Sequence, residues 1–335
     1  MRIFVFEYIT GGGMLDRELP GSLAEEGDMM LHALASDLAE VGGVELLVTR
    51  DARLGRPELP AEFLLLTEFD DLSRVWEDCL DAVDGVWPIA PESDGTLEAV
   101  CAAVEASGKL LLSSPATAVA RTASKRATIQ RLAEAGVAVV PTYRIDDEIP
   151  ECSGQWVLKP DLGAGCLGSR IFATRKALFD EIDSLPEDQP GYIVQPFIPG
   201  TAASISMIAR GGEVAVLSTN LQRIVVMNNS FVLLGCEVNG VQGDTRAYRE
   251  LGQAVGKALS DLWGFVGIDL IDTGNGLKVL EVNPRLTTSY VGLKASIGIN
   301  PAALVLDLLQ SDRPMPHVSG MGTRVDVNLE YASAV

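Results

Sequence analysis

The feature that most constrains the fold is an alternation of strands and helices over the first third of the chain. Short apolar runs typical of buried strands occur at 2–8, 44–49, 63–67, 84–90 and 109–113. Between the first two runs, Leu31, Leu34 and Leu38 recur at helical spacing. Strands that alternate with helices pack as a parallel sheet. The sequence therefore predicts a parallel α/β domain over residues 1–115.

The pattern changes after residue 115, where strands follow one another with few helices between them. Strand-like runs occur at 137–145, 155–159, 169–173, 192–198, 202–209, 213–218, 265–271 and 276–283. Closely spaced strands of this kind favour antiparallel pairing. We predict an α+β domain at 116–315. A C-terminal segment at 316–335 follows, with a strand at 323–329.

Charge and composition exclude several classes of protein. The formal net charge of −20 opposes binding to nucleic acid or to an anionic membrane. No run reaches the ~18 apolar residues of a membrane span, and the amino terminus lacks the features of a signal peptide. The five cysteines form no C-x-x-C motif, and two histidines are too few for a histidine-based metal site. We expect a cytoplasmic protein whose metal, if it uses one, is Mg²⁺ held by oxygen ligands.

A glycine-rich stretch, WVLKPDLGAGCLGSRIF at 156–172, has the spacing of a phosphate-binding loop at Gly163, Gly165 and Gly168. A dinucleotide-binding loop would lie between a strand and a helix in the first βαβ unit. This loop instead lies in mid-chain between two strands, the arrangement of a flap that closes over a nucleoside triphosphate. Lys159, at the end of the incoming strand, would meet the phosphates. A hairpin turn without a ligand is the alternative for the loop alone.

Asp269, Glu281 and Asn283 lie in two neighbouring apolar strands joined by TGNG. Residues two apart share a face of a strand, so Glu281 and Asn283 point the same way, and a hairpin would bring Asp269 beside them. Two carboxylates and an amide oxygen suit Mg²⁺. Arg285, two residues further on, is placed for a phosphate or an anionic tetrahedral intermediate.

Together these motifs resemble the ATP-grasp superfamily of carboxylate–amine ligases, over about residues 1–315. The resemblance implies an N-terminal pre-ATP-grasp domain followed by two α+β subdomains that clamp ATP, one of them a small lid at about 138–196. It implies that Lys125 and Lys159 hold phosphates and that Asp269, Glu281 and Asn283 hold one or two Mg²⁺ ions, or Mn²⁺. The strand YIVQPFIPG matches the adenine-binding strand and implies base contacts from Gln195, Phe197 and Ile198. The sequence departs from the family at Ala202, where many members carry an acidic residue for the ribose; Ser204 is a candidate replacement.

The amino-terminal motifs FEYITGGGM, GSLAEEGDMMLHAL and IAPESDGTL resemble the branch of the superfamily that joins tyramine to glutamate in methanofuran biosynthesis. In such enzymes the first domain helps to bind substrate. The backbone N–H groups of Gly11, Gly12 and Gly13 would then meet a carboxylate, and Glu26 an ammonium group. Arg223 is a further catalytic candidate. A flexible loop for the glycines, and surface positions for Glu26 and Arg223, are the alternatives.

The resemblance implies an ATP-dependent, ADP-forming ligase that makes an amide through an acylphosphate. Its small-molecule substrates would be a carboxylate such as glutamate and an amine such as tyramine or tyrosine, and homodimers are common in the superfamily. Other readings are a ligase for a different amino-acid or cofactor-precursor pair, and a nucleotide-binding protein without turnover. A nicotinamide-dependent oxidoreductase built on the first domain would leave Lys159 and Glu281 without a role.

Overall fold

The structure is a computed structural model that describes residues 1–151, 154–163, 165–186, 191–310, 313–316, 318 and 322–329. Within these ranges, no helix is both long enough and apolar enough to cross a membrane. The α/β architecture predicted from the sequence is confirmed, with a parallel sheet in the first part of the chain and an antiparallel sheet in the second.

The first sheet has five parallel strands in the order β3-β2-β1-β4-β5. They are β1 Arg2–Glu7, β2 Glu45–Asp51, β3 Glu62–Leu66, β4 Gly85–Ile89 and β5 Leu110–Leu111. Alternate residues of β1 face opposite sides of the sheet, and both sides are buried. Ile3 and Val5 lie in one apolar cluster, and Phe4 and Phe6 in another. Burial on both faces is typical of a parallel sheet covered by helices.

The second sheet is larger and follows the order β14-β13-β10-β11-β12-β8-β7-β9-β6, with β15 paired to β12. Its strands are β6 Tyr143–Arg144, β7 Trp156–Pro160, β8 Arg170–Phe172, β9 Tyr192–Pro196, β10 Thr201–Arg210, β11 Glu213–Met227, β12 Ser230–Val238, β13 Gly264–Asp272, β14 Leu277–Asn283 and β15 Val325–Asn328. Antiparallel pairing of β13 with β14 sets Asp269 opposite Glu281.

The α-helices of the described chain cover both sheets. They are α1 Gly21–Ala39, α2 Leu72–Ala82, α3 Thr96–Ala106, α4 Ala116–Ala123, α5 Lys125–Glu134, α6 Arg175–Ile182, α7 Arg246–Ala258, α8 Tyr290–Ile297 and α9 Pro301–Asp307. Short 3-10 turns lie at Ala52–Leu54 and Ser93–Gly95.

Helix α1 joins the two halves of the molecule. Its buried leucines share one apolar core with β1 on one side and with Tyr290, Leu293 and Val305 of α8 and α9 on the other. At its end, Asp37 accepts a hydrogen bond from the Tyr290 hydroxyl at 3.0 Å and lies 3.3 Å from Lys294 Nζ. The first sheet is thereby fixed to the segment that follows β14.

Two strand predictions need correction. Of the run at 137–145, only Tyr143–Arg144 forms a strand, β6. The earlier part of the run lies beside β14 and pairs with it only at an isolated bridge between Val139 and Val279. The run at 213–218 continues to Met227 and turns at Asn228 and Asn229 into β12, a strand that the sequence reading missed. The C-terminal strand is present as β15. The domain boundaries at 115 and 315, and the lid at about 138–196, stay predictions.

Candidate active site

Two adjoining cavities lie between the strands of the second sheet and the loops that cover it. The first, of about 150 Å³, is lined by Glu26, Lys125, Arg285 and other polar residues and is called here the charged cavity. The second, of about 310 Å³, is lined mainly by aliphatic and aromatic residues and is called the apolar cavity. Lys159 and Gln222 line both cavities. One elongated ligand with a polar and an apolar end could therefore occupy both.

The acidic end of the charged cavity is built by the β13–β14 hairpin. Asp269 and Glu281 are paired across the two strands, and Asn283 lies opposite Gly267. The Asn283 side-chain amide donates to Asp269 Oδ2 at 3.0 Å, which leaves the Asn283 amide oxygen available as an acceptor or ligand. The structure thus brings together the three side chains that the strand periodicity had grouped.

Electrostatics at this hairpin are set by burial and by two lysines. Burial, followed by the neighbouring Glu281 carboxylate, holds the pKa of Asp269 well above its usual range. Burial alone would also raise the pKa of Glu281, but Lys125 and Lys159, together with the hydrogen bond to Asp269 and the charge of Arg285, lower that pKa. Burial lowers the pKa of Lys159, against the opposing effect of Glu281. The two lysines therefore do not fully compensate the negative charges of Asp269 and Glu281, and ionising both buried carboxyl groups costs free energy.

Lys125 connects the acidic hairpin with the glycine-rich flap. Its Nζ lies 3.5 Å from Glu281 Oε2 and donates to the carbonyl oxygen of Gly163 at 2.7 Å. Asp161, at the base of the flap, accepts from Ser124 Oγ at 2.7 Å and from the Arg126 backbone N–H at 2.8 Å. Helix α5 begins at this contact, so its first turn fixes both Lys125 and the flap.

The flap glycines serve the turn in two ways. Gly165 adopts a φ of +67°, which favours glycine. At Gly168, a Cβ atom would come within 3.0 Å of Pro160 Cγ, so the bare backbone lets the flap pack on the strand below. Gly163 and Gly165 line the charged cavity, whereas Gly168 supports the turn from behind. Ala164, between them, lies outside the described residues.

The apolar cavity contains the residues expected to contact adenine. Gln195, Phe197 and Ile198 line it, and Gln195 donates to Thr142 Oγ1 at 2.8 Å. The rings of Phe197 and Phe231 are within 24° of parallel with centroids 6.5 Å apart. A flat heterocyclic base would fit against aromatic faces of this kind. Ala202 also lines this cavity, whereas Ser204, the candidate for ribose, lines the charged one.

Arg285 and Glu26 face the charged cavity from opposite domains. Arg285 Nε donates to Glu92 Oε1 at 2.9 Å, and the Thr288 hydroxyl donates to Glu26 Oε1. Burial alone would lower the pKa of the Arg285 guanidinium, but Glu92 and the other carboxylates raise it. Arg285 is therefore a fixed positive charge at the edge of the cavity.

Two sequence predictions are not supported by this geometry. The Arg223 guanidinium turns away from both cavities and donates to the Val327 carbonyl oxygen of β15 at 2.6 Å. In the loop after β1, the backbone N–H of Gly11 donates to the carbonyl oxygen of Glu7 at 2.7 Å, and that of Gly13 to the carbonyl oxygen of Tyr8 at 2.8 Å. That loop closes on itself, so these donors are not free for a substrate carboxylate. Gly12 is buried there, and a Cβ on it would meet Leu66.

Sequence reasoning missed two residues at the site. Gln222 donates to Asp269 Oδ1 at 2.8 Å. Gln222 directly precedes Arg223 on β11, and successive residues of a strand point to opposite faces. Gln222 therefore faces the cavities, whereas Arg223, the residue chosen from the sequence, faces away from them. Glu92 lies in the IAPESDGTL motif, which had served only as a family marker. Its contact with Arg285 spans 193 positions of sequence and has no local signal.

The donor set at the hairpin fits a divalent cation. Within the described ranges, no group of three or more Asp, Glu, His and Cys side chains could hold a metal ion. Asp269, Glu281 and the Asn283 amide oxygen provide a smaller, all-oxygen set of the kind that binds Mg²⁺ together with phosphate oxygens and waters. A cation there would also offset the repulsion that raises the pKa of Asp269.

Comparison with known proteins identifies the class to which this fold and site belong. A sequence model of the ATP-grasp domain family matches residues 122–289, and a model of a pre-ATP-grasp domain matches residues 44–119. The chain therefore belongs to the ATP-grasp family, as its motifs had indicated. It is an ATP-dependent, ADP-forming carboxylate–amine ligase.

Within that family the chain is similar to curated tyramine–L-glutamate ligases. It is 25% identical to the enzyme of Methanocaldococcus jannaschii over 301 residues, which cover 88% of this chain and 85% of the relative. It is 26% identical to that of Methanocaldococcus fervens, covering 87% and 89% of the two chains. An ATP-grasp superfamily protein of Archaeoglobus fulgidus has a similar fold, with a TM-score of 0.70 at 24% identity over 98% of this chain and 100% of that one.

Proposed function

We propose that the protein joins the carboxylate of glutamate to an aromatic amine, tyramine or tyrosine, through an acylphosphate. The observation that carries this proposal is the charged cavity, where Lys125, Lys159 and Arg285 face the acidic hairpin of Asp269 and Glu281. Such a site holds both the cations that phosphate requires and the carboxylates that a metal requires. The adjoining apolar cavity supplies a place for the base of ATP.

In this proposal the chain itself positions the reactants and stabilises charge. Lys125 and Lys159 hold the phosphates, and Arg285 faces the anion that forms at the reacting carbon. The flap excludes water that would hydrolyse the activated carboxylate. Asp269, Glu281 and Asn283 would hold one or two Mg²⁺ ions, or Mn²⁺, which neutralise charge on the phosphate oxygens when bound.

The proposed chemistry has two balanced steps. A carboxylate oxygen of glutamate attacks the γ-phosphorus of ATP, and the bond between that phosphorus and the oxygen of ADP breaks. The amine nitrogen then attacks the activated carbonyl carbon, and the carbon–oxygen bond to phosphate breaks as the amide forms. The proton lost by the amine passes to a phosphate oxygen or a nearby carboxylate. Neither step requires a covalent bond to the protein.

The proposed substrate pair rests on the two relatives named tyramine–L-glutamate ligase and is compatible with the lining of the charged cavity. Glu26, which accepts from Thr288, offers a carboxylate for the ammonium group of an amino acid. Leu167, Ile224 and Leu233 also line this cavity and offer apolar surface to an aromatic amine. A ligase for another amino-acid pair would use the same phosphate and metal residues with different contacts here.

The deciding experiment measures ADP and phosphate release from Mg-ATP with pooled amino acids and amines, followed by mass spectrometry of the amide. Glutamate labelled with ¹⁸O in its carboxylates should transfer one label to the released phosphate if an acylphosphate forms. Glu281→Ala should abolish release. Turnover with another pair would keep the ligase but replace the substrates.

Binding of Mg-ATP without turnover for any pair would favour the nucleotide-binding protein without activity. A protein that fails to bind Mg-ATP would contradict the roles proposed for both cavities. The homodimer expected from the family stays a prediction that light scattering can test.

A further inference from the structure

Glu92 is a buried carboxylate of the first domain that reaches into the site formed by the second. It lies just after β4 and is only 4% exposed. Its Oε1 accepts from Arg285 Nε at 2.9 Å, a contact that links the two halves of the chain beside the charged cavity. The carbonyl of Leu286 receives a second hydrogen bond from Arg285, at 3.0 Å. The guanidinium is therefore held on two sides.

The way Glu92 uses its oxygens argues against a purely structural role. Its Oε2 is buried and has no hydrogen-bond partner among the described residues. An unpaired buried carboxylate oxygen is costly, and a buried ion pair is weak evidence of stabilisation even when it is complete. A carboxylate kept only to join the domains would gain by pairing both oxygens, as Asp37 does with Tyr290 and Lys294.

The turn that carries Glu92 also faces the flap. Asp94 and Gly95 both adopt positive φ angles, of 54° and 69°, which is a costly conformation for an aspartate. The Ser93 hydroxyl lies 3.9 Å from the point where a Cβ atom of the flap residue Gly163 would stand. The strained turn thus lies between the arginine and the phosphate-binding loop. Backbone strain of this kind recurs where a site needs its residues held in place.

We propose that Glu92 is a positioning residue, which fixes the Arg285 guanidinium against the charged cavity so that it faces the anion formed during amide synthesis. This inference rests on the proposed function, because it assigns Arg285 to the reacting centre. Glu92 does not touch the substrates; it acts through Arg285. The first domain would then complete the catalytic geometry as well as binding substrate.

The first test is the kinetics of Glu92→Gln, which keeps an oxygen acceptor for Arg285 but removes the charge. We expect kcat to fall about tenfold to a hundredfold, with the KM for ATP changed less than about threefold, because the nucleotide contacts lie elsewhere. In an Arg285→Ala background, Glu92→Gln should cause no further loss of kcat, since the group that it positions is gone. An equal loss in both backgrounds, or an unchanged kcat in the single variant, would overturn the proposal.

Asp37→Asn is the matched control, because it removes a second buried carboxylate that joins the same two halves of the chain away from both cavities. It should lower the urea midpoint without lowering kcat. If Glu92→Gln does not fold, Glu92→Asp retains the charge at a shorter reach and should show the same loss of kcat. A loss of kcat in Asp37→Asn equal to that in the Glu92 variant would mean that both act only by joining the domains.

A second readout is independent of the substrate pair. Phenylglyoxal modifies guanidinium groups, and mass spectrometry locates the product. Arg285 should be modified at least about fivefold faster in Glu92→Gln than in the native protein, because a salt bridge that shields it is lost, and Asp37→Asn should leave that rate unchanged. If phenylglyoxal modified Arg285 at the same rate in Glu92→Gln as in the native protein, the proposal would be contradicted, whatever the substrates proved to be. If the native protein had no ligase activity but Arg285 was modified faster in Glu92→Gln, the result would count against the proposed function alone.

Discussion

The loop after β1 and the β13–β14 hairpin both bury carboxylates, but they satisfy them in different ways. Glu7, the last residue of β1, accepts hydrogen bonds from this loop: from the backbone N–H groups of Ile9 and Thr10 and from the Thr10 hydroxyl, at 3.2, 2.6 and 2.6 Å. In the hairpin, Asp269 and Glu281 face lysines and a cavity. A carboxylate whose oxygens are filled by its own loop serves the fold, whereas carboxylates that repel each other beside a cavity are available for a ligand.

Replacing Asp269 with asparagine should have the largest effect. We expect kcat to fall by about a thousandfold, or ~4 kcal/mol of barrier, because the charge that would hold the metal is lost. The free energy of unfolding should stay the same or rise, since burying a neutral amide costs less than burying a carboxylate. Product formation under saturating substrates and urea denaturation measure the two effects. A less stable but fully active variant would make the hairpin a structural element like the loop.

Glu7→Gln should change the pH dependence of stability and leave activity intact. Burial raises the pKa of Glu7 from its ordinary value of 4.5 to about 7. Between these values the folded protein holds a proton that the unfolded chain has released. Stability therefore falls as pH rises through this window, by up to about 3 kcal/mol. The variant lacks this slope.

The measurement is urea denaturation of both proteins at about pH 5 and about pH 8, at either end of the expected transition. Relative to that of the native protein, the free energy of unfolding of Glu7→Gln should rise by up to about 3 kcal/mol from the lower pH to the higher one. Parallel pH profiles would contradict the assignment, and a loss of kcat would move Glu7 into the site.

Periodicity explains why the hairpin could be predicted and the loop could not. Glu281 and Asn283 are two apart on one strand, and a tight TGNG turn fixes Asp269 beside them, so local rules define the cluster. The role of Gly11 depends on where its N–H group points, and a run of glycines gives no information about that. The same alternation of strand faces places Gln222 and Arg223 on opposite sides of β11. The sequence did not show which of these two sides faces the cavities.

Contacts between residues far apart in the chain could not be predicted from the sequence, for another reason. Glu92 meets Arg285 only because α1 and its neighbours fix the first sheet against α8 and α9. No spacing rule applies over such a separation. The motifs predicted the order of the glycine-rich flap, strand β9 and the β13–β14 hairpin along the chain, but the surface where the first domain closes the site depended on tertiary packing.

Gly11→Ala tests whether the loop after β1 is a packing element. A Cβ atom on Gly11 would lie 2.3 Å from the Glu7 carbonyl oxygen and 3.0 Å from Thr49 Oγ1. We expect the variant to lose about 1–3 kcal/mol of stability and to keep its KM for the carboxylate substrate. Gly21→Ala is the control, because a Cβ there meets nothing within 4 Å. A raised KM with unchanged stability would restore the loop as a substrate-binding element.

The smallest effect is expected at Gln222, which joins the hairpin to β11 and lines both cavities. Gln222→Leu removes the donor to Asp269 and should lower kcat about tenfold, the effect of one lost hydrogen bond to a charged group. Arg223→Leu, one residue along and on the opposite face, should leave kcat unchanged and lower stability slightly, because its partners belong to β15. Steady-state kinetics and urea denaturation of both variants separate the two faces of one strand. If the Arg223 variant lost activity and the Gln222 variant did not, β11 would present the other face to the substrates, and the charged cavity would have to be redefined.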